Sequence, residues 1–394
     1  MEKQKRILFL MSRFLDGGID TVLVEYLNWL AQNDQLQITL AIATYMDELE
    51  VFRSRIPENV QVVYFAKAGW LTNIYQKRVL KRVSPIKKAY DEICLAPIRK
   101  LLTRFSLWHM SKDYDVVVDF DCCFYSSMNL VKVRKLAFFH FSFKHMAQQN
   151  PRRMTRISKH LEQYNKVILI AEGMRKEALE MFPSMAQKFE VLYNPKNPDE
   201  ITQLSMAAVA DEHIKEPFIL AIERLTEPKD IPTLLAAYAL FRQQHPERNE
   251  KLYIIGKGDE ETSLRNEALR LGIAADVLFL GFIKNPLPWL RASKLLVHSS
   301  RFEGLGVVMI EGLFLQKLVV ATDCPIGPRE VLAEGKAGLL TPVGDAQALA
   351  EAMYQALTDT ALQQSLLTFG KEHVKNFSFE VIGQQLLTLM FPEA

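Results

Sequence analysis

The stretch LLVHSSRFEGLGVVMIEGLFLQKLVVAT, residues 295–322, decides the fold class. It begins with the apolar run LLVH and ends with a second apolar run at 318–321, and short continuous apolar runs are typical of buried strands. Between them stand the loop RFEGLG and an apolar segment of helix length, from Val307 to about Gln316. A strand, a loop, a helix and a second strand in this order predict a parallel sheet covered by helices.

The loop RFEGLG has the composition of a phosphate-binding turn. Gly304 and Gly306 carry no side chains, so backbone N–H groups are accessible at the start of the helix, where phosphate is favoured. Glu303 precedes the helix and Glu311 lies on it, so the two carboxylates reach different parts of one ligand. Carboxylates accept hydrogen bonds from sugar hydroxyls, which suits a sugar nucleotide. A surface loop with one solvated Glu and one helix Glu explains this spacing equally well.

Composition indicates a globular chain of two domains. The length is 394 residues, with 49% hydrophobic and 24% charged residues, which excludes a low-complexity or disordered chain. Cys94, Cys122, Cys123 and Cys324 have no metal-like spacing, which argues against a zinc site or a disulfide framework and favours a reduced, cytosolic compartment. The N-terminal MEKQKRILFLM predicts a first strand rather than a signal peptide. No apolar run approaches the roughly 20 residues of a membrane span.

The N-terminal half continues the alternation of strands and helices. Strands are predicted at 6–11, 38–43, 60–65 and 115–119, and a helix from about Ile19 to Gln32. Gly17 and Gly18 stand at the first strand-to-helix turn, where a Rossmann-like sheet opens toward its ligand. The run RKLAFFHFSF at 134–143 predicts another strand, ending in His140, and a lone His in an apolar run is usually a core residue.

Residues 67–104 differ from the rest in charge. They hold ten basic and two acidic residues in a chain of net charge +2, interleaved with residues such as Trp70, Tyr75 and Leu101. Cationic amphipathic segments with aromatic residues are typical of contacts with anionic membranes. A helix pair packed on its domain with a solvated basic face is an equally good interpretation. Nucleic acid is a weaker one, because no nucleic-acid motif accompanies the charge.

The combined motifs resemble a known enzyme family. SRFEGLGVVMIEG, the following DCPIGPREVL, and Arg224 with Lys229 in the pattern R-L-x-x-x-K resemble the donor site of the retaining glycosyltransferases of family 4. That resemblance implies the α/β GT-B fold, with two Rossmann-like domains whose parallel sheets face an interdomain cleft. Residues 1–198 would form the acceptor domain, with the basic insert 67–104. Residues 214–372 would form the donor domain, and a C-terminal helix at 376–394 would cross back onto the first.

The resemblance also implies roles for individual residues. Arg224 and Lys229 would neutralise the donor diphosphate, two cations being able to replace a metal, and Glu311 would bind the ribose. His140 and Glu303 would hold the transferred sugar. The remaining donor contacts would be Gly17 and Gly18 from the first domain and Gly304, Leu305 and Gly306 from the second. One position departs from the pattern, because Glu223 stands where the family usually has Gly before the Arg, and the local backbone path is therefore in question.

These expectations define a metal-independent hexosyltransferase that uses a nucleoside-diphosphate sugar, UDP-sugar favoured, and needs no cofactor. The D-x-D triplets at 113–115 and 119–121 are interpreted as loop carboxylates and not as a metal site. The basic insert and the DCPIGPRE motif favour a lipid-linked saccharide or lipopolysaccharide-core acceptor and a cytoplasmic protein, peripheral on the inner face of the cell membrane. The alternatives are a sugar-nucleotide epimerase or hydrolase of the same fold and a non-catalytic nucleotide-sugar-binding protein. A dehydrogenase is excluded because no G-x-G-x-x-G follows a strand with a ribose-binding acid downstream.

Overall fold

A computed structural model describes residues 4–15 and 17–392. The chain divides into two compact units. Unit 1 contains residues up to 170, residues 174–195 and residues from 382 onward, and unit 2 contains residues 171–173 and 196–381. The last helix therefore begins in unit 2, and its residues from 382 onward belong to unit 1.

Unit 1 is built on a seven-stranded parallel sheet with the order β3-β2-β1-β4-β5-β6-β7. Its strands are β1 (Lys5–Met11), β2 (Leu36–Thr44), β3 (Gln61–Ala66), β4 (Val116–Asp119), β5 (Arg134–Phe139), β6 (Lys166–Leu169) and β7 (Phe189–Val191). The α-helices up to residue 181 are α1 (Gly18–Leu30), α2 (Gly69–Val79), α3 (Pro85–Tyr90), α4 (Ala96–Met110), α5 (Phe143–Gln149), α6 (Pro151–Ser158) and α7 (Glu172–Met181). The central strands β1 and β4 are fully buried along their paired residues, as expected for a parallel sheet covered on both faces.

Unit 2 has a six-stranded parallel sheet with the order β10-β9-β8-β11-β12-β13. Its strands are β8 (Phe218–Ile222), β9 (Lys251–Ile255), β10 (Val277–Gly281), β11 (Leu295–His298), β12 (Val319–Thr322) and β13 (Leu339–Thr341). The α-helices from residue 198 are α8 (Pro198–Ser205), α9 (Ile231–Gln244), α10 (Glu261–Arg270), α11 (Leu287–Ala292), α12 (Val307–Phe314), α13 (Pro328–Val331), α14 (Ala346–Thr358), α15 (Thr360–His373) and α16 (Phe379–Met390). The decisive stretch forms β11, α12 and β12, and β11 pairs in parallel with both β12 and β8.

Two predicted boundaries were wrong for local reasons. In the run 134–143 the strand predicted to end in His140 ends one residue earlier, at Phe139, and Ser142 then caps α5 by accepting a hydrogen bond from the backbone N of His145 at 3.0 Å. His140 therefore follows β5 directly instead of being its last residue. Helix α12 ends at Phe314 rather than at about Gln316, because Gln316 has a left-handed backbone with φ of 53° that cannot continue a helix.

Each sheet changes winding direction beside its first strand. In unit 1 the chain moves outward from β1 through β2 to β3 and then resumes at β4 on the other side of β1. In unit 2 it moves from β8 through β9 to β10 and resumes at β11 on the other side of β8. Ligands of open parallel sheets bind outside the carboxyl ends of the strands at such switch points. A ligand site in unit 2 is therefore expected at the loops after β8 and β11.

Candidate donor-nucleotide site

The loops after β8 and β11 bring a buried lysine against two carboxylates. Nζ of Lys229 lies 2.9 Å from Oε2 of Glu223 and contacts Oε1 of Glu303. Burial disfavours the ammonium, but the two carboxylates outweigh it and raise the pKa of Lys229. Burial likewise disfavours the carboxylate of Glu303, yet His298 and Lys229 lower the pKa of Glu303 to about 2. Glu303 and Lys229 are therefore both charged at neutral pH.

His298, the last residue of β11, completes this cluster. Its Nε2 lies 2.9 Å from Oε1 of Glu303, and its Nδ1 contacts Oε1 of Glu223. Burial favours the neutral ring, but the carboxylate of Glu223, assisted by that of Glu303, raises the pKa of His298 to about 9. The ring is thus an imidazolium near pH 7, between two carboxylates. Sequence reasoning treated His298 only as part of a buried strand.

The backbone around Glu223 accommodates its side chain without strain. Glu223 is not among the residues with positive φ, so the position does not require Gly. Its backbone N donates a hydrogen bond to the O of Ile255 at 2.9 Å. The positions at which a side chain would clash with this turn lie instead just after the neighbouring strand β9. A Cβ added at Gly256 would lie 1.7 Å from the O of Glu223, and one at Gly258 would lie 2.1 Å from the O of Leu225. The glycines that this turn needs are therefore those after β9.

Further hydrogen bonds fix the two loops to each other. Arg301 forms a two-pronged ion pair with Asp230, at 2.9 Å for Nε and 3.1 Å for Nη2, and such pairs set geometry as well as charge. Oγ of Ser299 donates to the backbone O of Lys229 at 2.9 Å. Asp230 has a left-handed backbone at the start of α9. The loop that carries Lys229 is consequently held from both the β8 and the β11 side, a role that the sequence did not indicate for Asp230, Ser299 or Arg301.

The glycine loop enters α12 through a left-handed residue. Gly306 has φ of 75° and ψ of 58° at the N-terminal boundary of the helix, a conformation that glycine adopts at little cost. Leu305 and Gly306 are buried and Gly304 is half-buried. Glu311 lies one turn into α12, and its Oε1 is 3.5 Å from Nζ of Lys196. Burial raises the pKa of Glu311 against the opposing effect of Lys196, and the sequence had not pointed to Lys196.

Arg224 differs from Lys229 in its surroundings. Its side chain is exposed, whereas Lys229 is 15% exposed. The two cations of the R-L-x-x-x-K pattern therefore stand at the same loop, one accessible to a ligand from solvent and one enclosed by carboxylates. Both suit a diphosphate, since guanidinium and ammonium groups bind phosphate oxygens.

The predicted contacts of unit 1 occupy the same edge of their own sheet. Gly17 and Gly18 are exposed at the start of α1, after β1. Nε2 of His140 is 2.8 Å from the backbone O of Phe120, and burial lowers the pKa of His140 to about 4. Because a carbonyl only accepts, Nε2 carries the hydrogen and Nδ1 is an acceptor. His140 is therefore a neutral group that can accept a hydrogen bond from a ligand hydroxyl.

The predicted loop carboxylates after β4 are used inside unit 1. Asp119 accepts hydrogen bonds from the hydroxyl of Tyr164 at 2.5 Å and from the backbone N of Phe124 at 2.9 Å. Asp121 accepts from the backbone N of Ser12 at 2.9 Å. Burial, and then the neighbouring Asp121, raise the pKa of Asp119 to about 7. Asp119, the last residue of β4, and Asp121 just after it therefore connect this strand to neighbouring segments of unit 1.

Among the described residues, the set whose ligand atoms come within 4.8 Å of one another, as a metal site requires, is Glu223, His298 and Glu303. Each ring nitrogen of His298 faces a carboxylate, and the ammonium of Lys229 already contacts both acids. The positive charge that a metal would supply is thus provided by side chains. These three side chains and Lys229 form an ion network.

The part of the chain that carries this site is similar to a known protein family. Residues 206–373, which lie in unit 2, match the model of the family described as glycosyl transferases group 1. The chain is 29% identical over 217 residues to N-acetylgalactosamine-N,N'-diacetylbacillosaminyl-diphospho-undecaprenol 4-alpha-N-acetylgalactosaminyltransferase of Campylobacter jejuni, covering 55% of this chain and 57% of the relative. It is 32% identical over 184 residues to the lipopolysaccharide core biosynthesis glycosyltransferase LpsE of Rhizobium meliloti, covering 46% and 52%. The chain thus spans about half the length of these curated relatives.

A solved structure confirms the fold. Anabaena HepE, crystallised in complex with UDP, superimposes with a TM-score of 0.73 over 98% of each chain at 18% sequence identity. This likeness and the two parallel sheets establish the GT-B fold that the sequence motifs implied. In the described part of the chain, no helix is long and apolar enough to cross a membrane.

Proposed function

We propose that this chain is a retaining, metal-independent glycosyltransferase that moves a hexose-type sugar from a nucleoside-diphosphate sugar to a saccharide acceptor. The main support for the proposal is the contact of Lys229 with Glu303 at the switch point of unit 2. Both residues lie in the part of the chain that matches the glycosyl transferases group 1 family. A buried cation beside a helix start binds a diphosphate, and a carboxylate at the same place binds sugar hydroxyls. A UDP-sugar is favoured, in keeping with the UDP bound by Anabaena HepE.

The predicted residues of unit 2 divide the tasks of this reaction. Arg224 and Lys229 neutralise the diphosphate as it leaves, together with the amides of residues 304–306. Glu311 accepts hydrogen bonds from the ribose, and Glu303 holds the transferred sugar. The bond from the anomeric carbon to the diphosphate breaks while the acceptor oxygen bonds to that carbon on the same face. The acceptor proton passes to the leaving phosphate. The rate enhancement therefore comes from positioning of the reactants and from stabilisation of the developing charge.

The direct test combines a UDP-sugar panel with an undecaprenyl-diphosphate-linked saccharide, in detergent, with and without EDTA. We expect sugar transfer that requires the acceptor, gives an α-linked product by NMR and continues unchanged in EDTA. UDP release without acceptor would instead indicate a hydrolase. An inverted product would contradict the retaining assignment, and loss of turnover in EDTA would contradict metal independence.

The acceptor is proposed to be a lipid-linked saccharide or lipopolysaccharide core, reached at the surface of an anionic membrane through residues 67–104. Three of the ten cations there are structural, because Arg78 and Arg99 pair with the buried Asp91 and Arg104 donates to the O of Ser126. The exposed cations are Lys67, Lys77, Lys81, Arg82, Lys87, Lys88 and Lys100. Helices α2, α3 and α4 and the segments that join them also expose large apolar side chains, which are Trp70, Leu80, Ile86, Tyr90, Ile93, Ile98, Leu101, Phe105 and Trp108.

This mixture of exposed lysines and large apolar side chains is favourable at a bilayer surface and unfavourable in water. Ile86 is 83% and Ile93 73% exposed, which a helix pair that merely packs on its domain does not require. The Campylobacter relative is named for a diphospho-undecaprenol substrate, a molecule that resides in membranes. The proposal therefore places the protein at the cytoplasmic face of the cell membrane.

Removal of three exposed lysines tests the membrane contact. Lys81, Lys87 and Lys88 replaced together by Gln should weaken binding to anionic vesicles about 100-fold, at about 1 kcal/mol for each cation. Turnover of a soluble acceptor analogue should persist. The charge-matched control replaces Lys284, Lys336 and Lys371, all exposed in unit 2, and should bind vesicles as the wild type does. Equal binding by both triple variants would refute the contact, and loss of soluble turnover would make the segment structural.

A further inference from the structure

Four ionisable side chains of unit 2 form a closed ring of contacts. Glu223 contacts Lys229 and His298, and Glu303 contacts the same two cations from the other side. The side chains of His298, Glu223, Glu303 and Lys229 are 1%, 3%, 10% and 15% exposed. Glu223 belongs to this ring at the position where sequence motifs lead one to expect glycine.

The charges of the ring balance only when His298 is protonated. Two carboxylates then face one ammonium and one imidazolium, and a buried cluster with no net charge avoids the large penalty of an unpaired buried ion. With glycine at 223, a neutral ring at 298 would give the same balance. Glu223 therefore determines the protonation state of His298.

The ring of ion pairs fixes one oxygen atom of Glu303, a residue of the candidate donor site. Oε1 of Glu303 is contacted by Lys229, by Nε2 of His298 and by the hydroxyl of Ser300 at 2.9 Å. Within the part of the chain that the structure describes, these contacts converge on Oε1, so Oε2 is the oxygen left to accept ligand hydroxyls. A group held this way before the ligand arrives needs no reorganisation during the reaction.

We propose that Glu223 and His298 are a positioning pair for the donor site, which holds Glu303 and Lys229 in their working places without contacting the substrate. This inference rests on the proposed function. According to this inference Glu223, which stands where the family pattern has glycine, orders the side chains of the site. The sequence alone had only put the local backbone path in question.

The charge state of the pair sets a pH limit. His298 has its pKa raised to about 9, so its contribution to stability is fully present below about 6.5, the ordinary value, and is lost as the pH rises through about 9. Lys229 stays charged over that range because its pKa is raised. Burial, and then the carboxylate of Glu303, raise the pKa of the nearby Cys324 to about 12, so this thiol does not titrate with His298.

The test is the Glu223→Gln variant, studied by NMR titration of the histidine rings and by steady-state kinetics. The resonance of His298 is the one missing from the Glu223→Gln/His298→Leu double variant. We expect the ring pKa of His298 to fall by about 1–2 units in Glu223→Gln, kcat to fall about tenfold and the donor KM to change little. The alkaline limb of the kcat profile should move to lower pH with the ring pKa.

Glu250→Gln is the matched control. Glu250 is also buried and is paired with an arginine, Arg248. It directly precedes β9, however, and so lies at the amino ends of the strands, opposite to the carboxyl ends that carry the candidate site. This variant should lose stability and keep the kcat and pH profile of the wild type. A fall of kcat as large as that of Glu223→Gln would attribute the effect to general destabilisation and overturn the proposal.

The double variant separates positioning from simple loss of a contact. His298→Leu alone leaves two buried carboxylates against one ammonium, whereas the Glu223→Gln/His298→Leu variant restores the charge balance and should melt at a higher temperature than His298→Leu. An unchanged ring pKa or an unchanged kcat in Glu223→Gln would overturn the positioning role alone. A wild type that transfers no sugar would overturn the proposed function and the role built on it.

Discussion

Lys229→Ala is expected to lose both thermal stability and nucleotide affinity. The change leaves the carboxylates of Glu223 and Glu303 buried against the imidazolium of His298, with one uncompensated negative charge. Removal of one partner from a buried ion pair costs about 3–5 kcal/mol, which corresponds to a melting temperature lower by about 10 °C in a domain of this size. Affinity for a nucleoside diphosphate should fall about 10- to 100-fold, because a charged phosphate contact is lost.

Arg224→Ala is the control for this prediction. Arg224 is exposed, so its removal leaves no buried charge, and the melting temperature should stay within about 1–2 °C of the wild type. Its contribution to phosphate binding should still be lost. Differential scanning calorimetry and titration calorimetry with UDP measure the two effects. Unchanged affinity in both variants would disprove the diphosphate assignment, and equal melting temperatures would disprove the ion network.

Glu311→Ala is expected to show the opposite pattern, with a large loss of nucleotide affinity and a small loss of stability. Burial raises the pKa of Glu311, so the folded state gains little from its charge at neutral pH, and the side chain is 20% exposed. The two ribose hydroxyls that it would bind each form a hydrogen bond to a charged acceptor, together worth a loss of about 100-fold in affinity.

Glu311→Gln is the informative companion of Glu311→Ala. The amide keeps the size of the side chain and one acceptor oxygen, so affinity for the nucleotide should be intermediate. Titration calorimetry of both variants with the same nucleotide gives the comparison. If Glu311→Ala binds as tightly as the wild type, the ribose lies elsewhere. If its melting temperature falls as far as that of Lys229→Ala, Glu311 serves the fold.

The architecture of unit 2 was predictable because its signal is local. The apolar runs of β11 and β12 and the helical segment between them lie within residues 295–322, and each type of element has its own hydrophobic period. Errors occurred where a single residue decides a boundary. The cap at Ser142 and the left-handed Gln316 end elements inside apolar runs that contain no other signal.

The site was predictable only as far as motifs reach. Glu303, Glu311, Arg224 and Lys229 stand in recognisable spacings, but nothing in those spacings says that Lys229 contacts Glu303. That contact arises because β8 and β11 are neighbours in the sheet, and strand adjacency across a switch point is not encoded in the local pattern. A charged or titratable residue at the end of a buried strand, as at Glu223 and His298, was the available signal.

The basic insert shows the same limit for charge patterns. In the sequence the ten cations form one class, whereas the structure separates three structural arginines from seven exposed cations, which are six lysines and Arg82. Arg99 is buried and reaches both Asp91 at 2.8 Å and the backbone O of Leu71 at 2.6 Å. Guanidinium groups satisfy several acceptors at once, which suits Arg78, Arg99 and Arg104 to internal contacts, whereas Arg82 and the lysines remain at the surface.

The central claim is that unit 2 holds a nucleoside diphosphate between Lys229, Glu303 and Glu311. A thermal-shift series with UDP, GDP, ADP, CMP and NAD on the wild type and on Glu311→Ala tests it most directly, since a ligand of the native state raises the melting temperature according to its affinity. The account predicts that UDP stabilises the wild type above the other compounds and that Glu311→Ala loses this stabilisation. Stabilisation by none of them, or equal stabilisation of Glu311→Ala, would contradict the account.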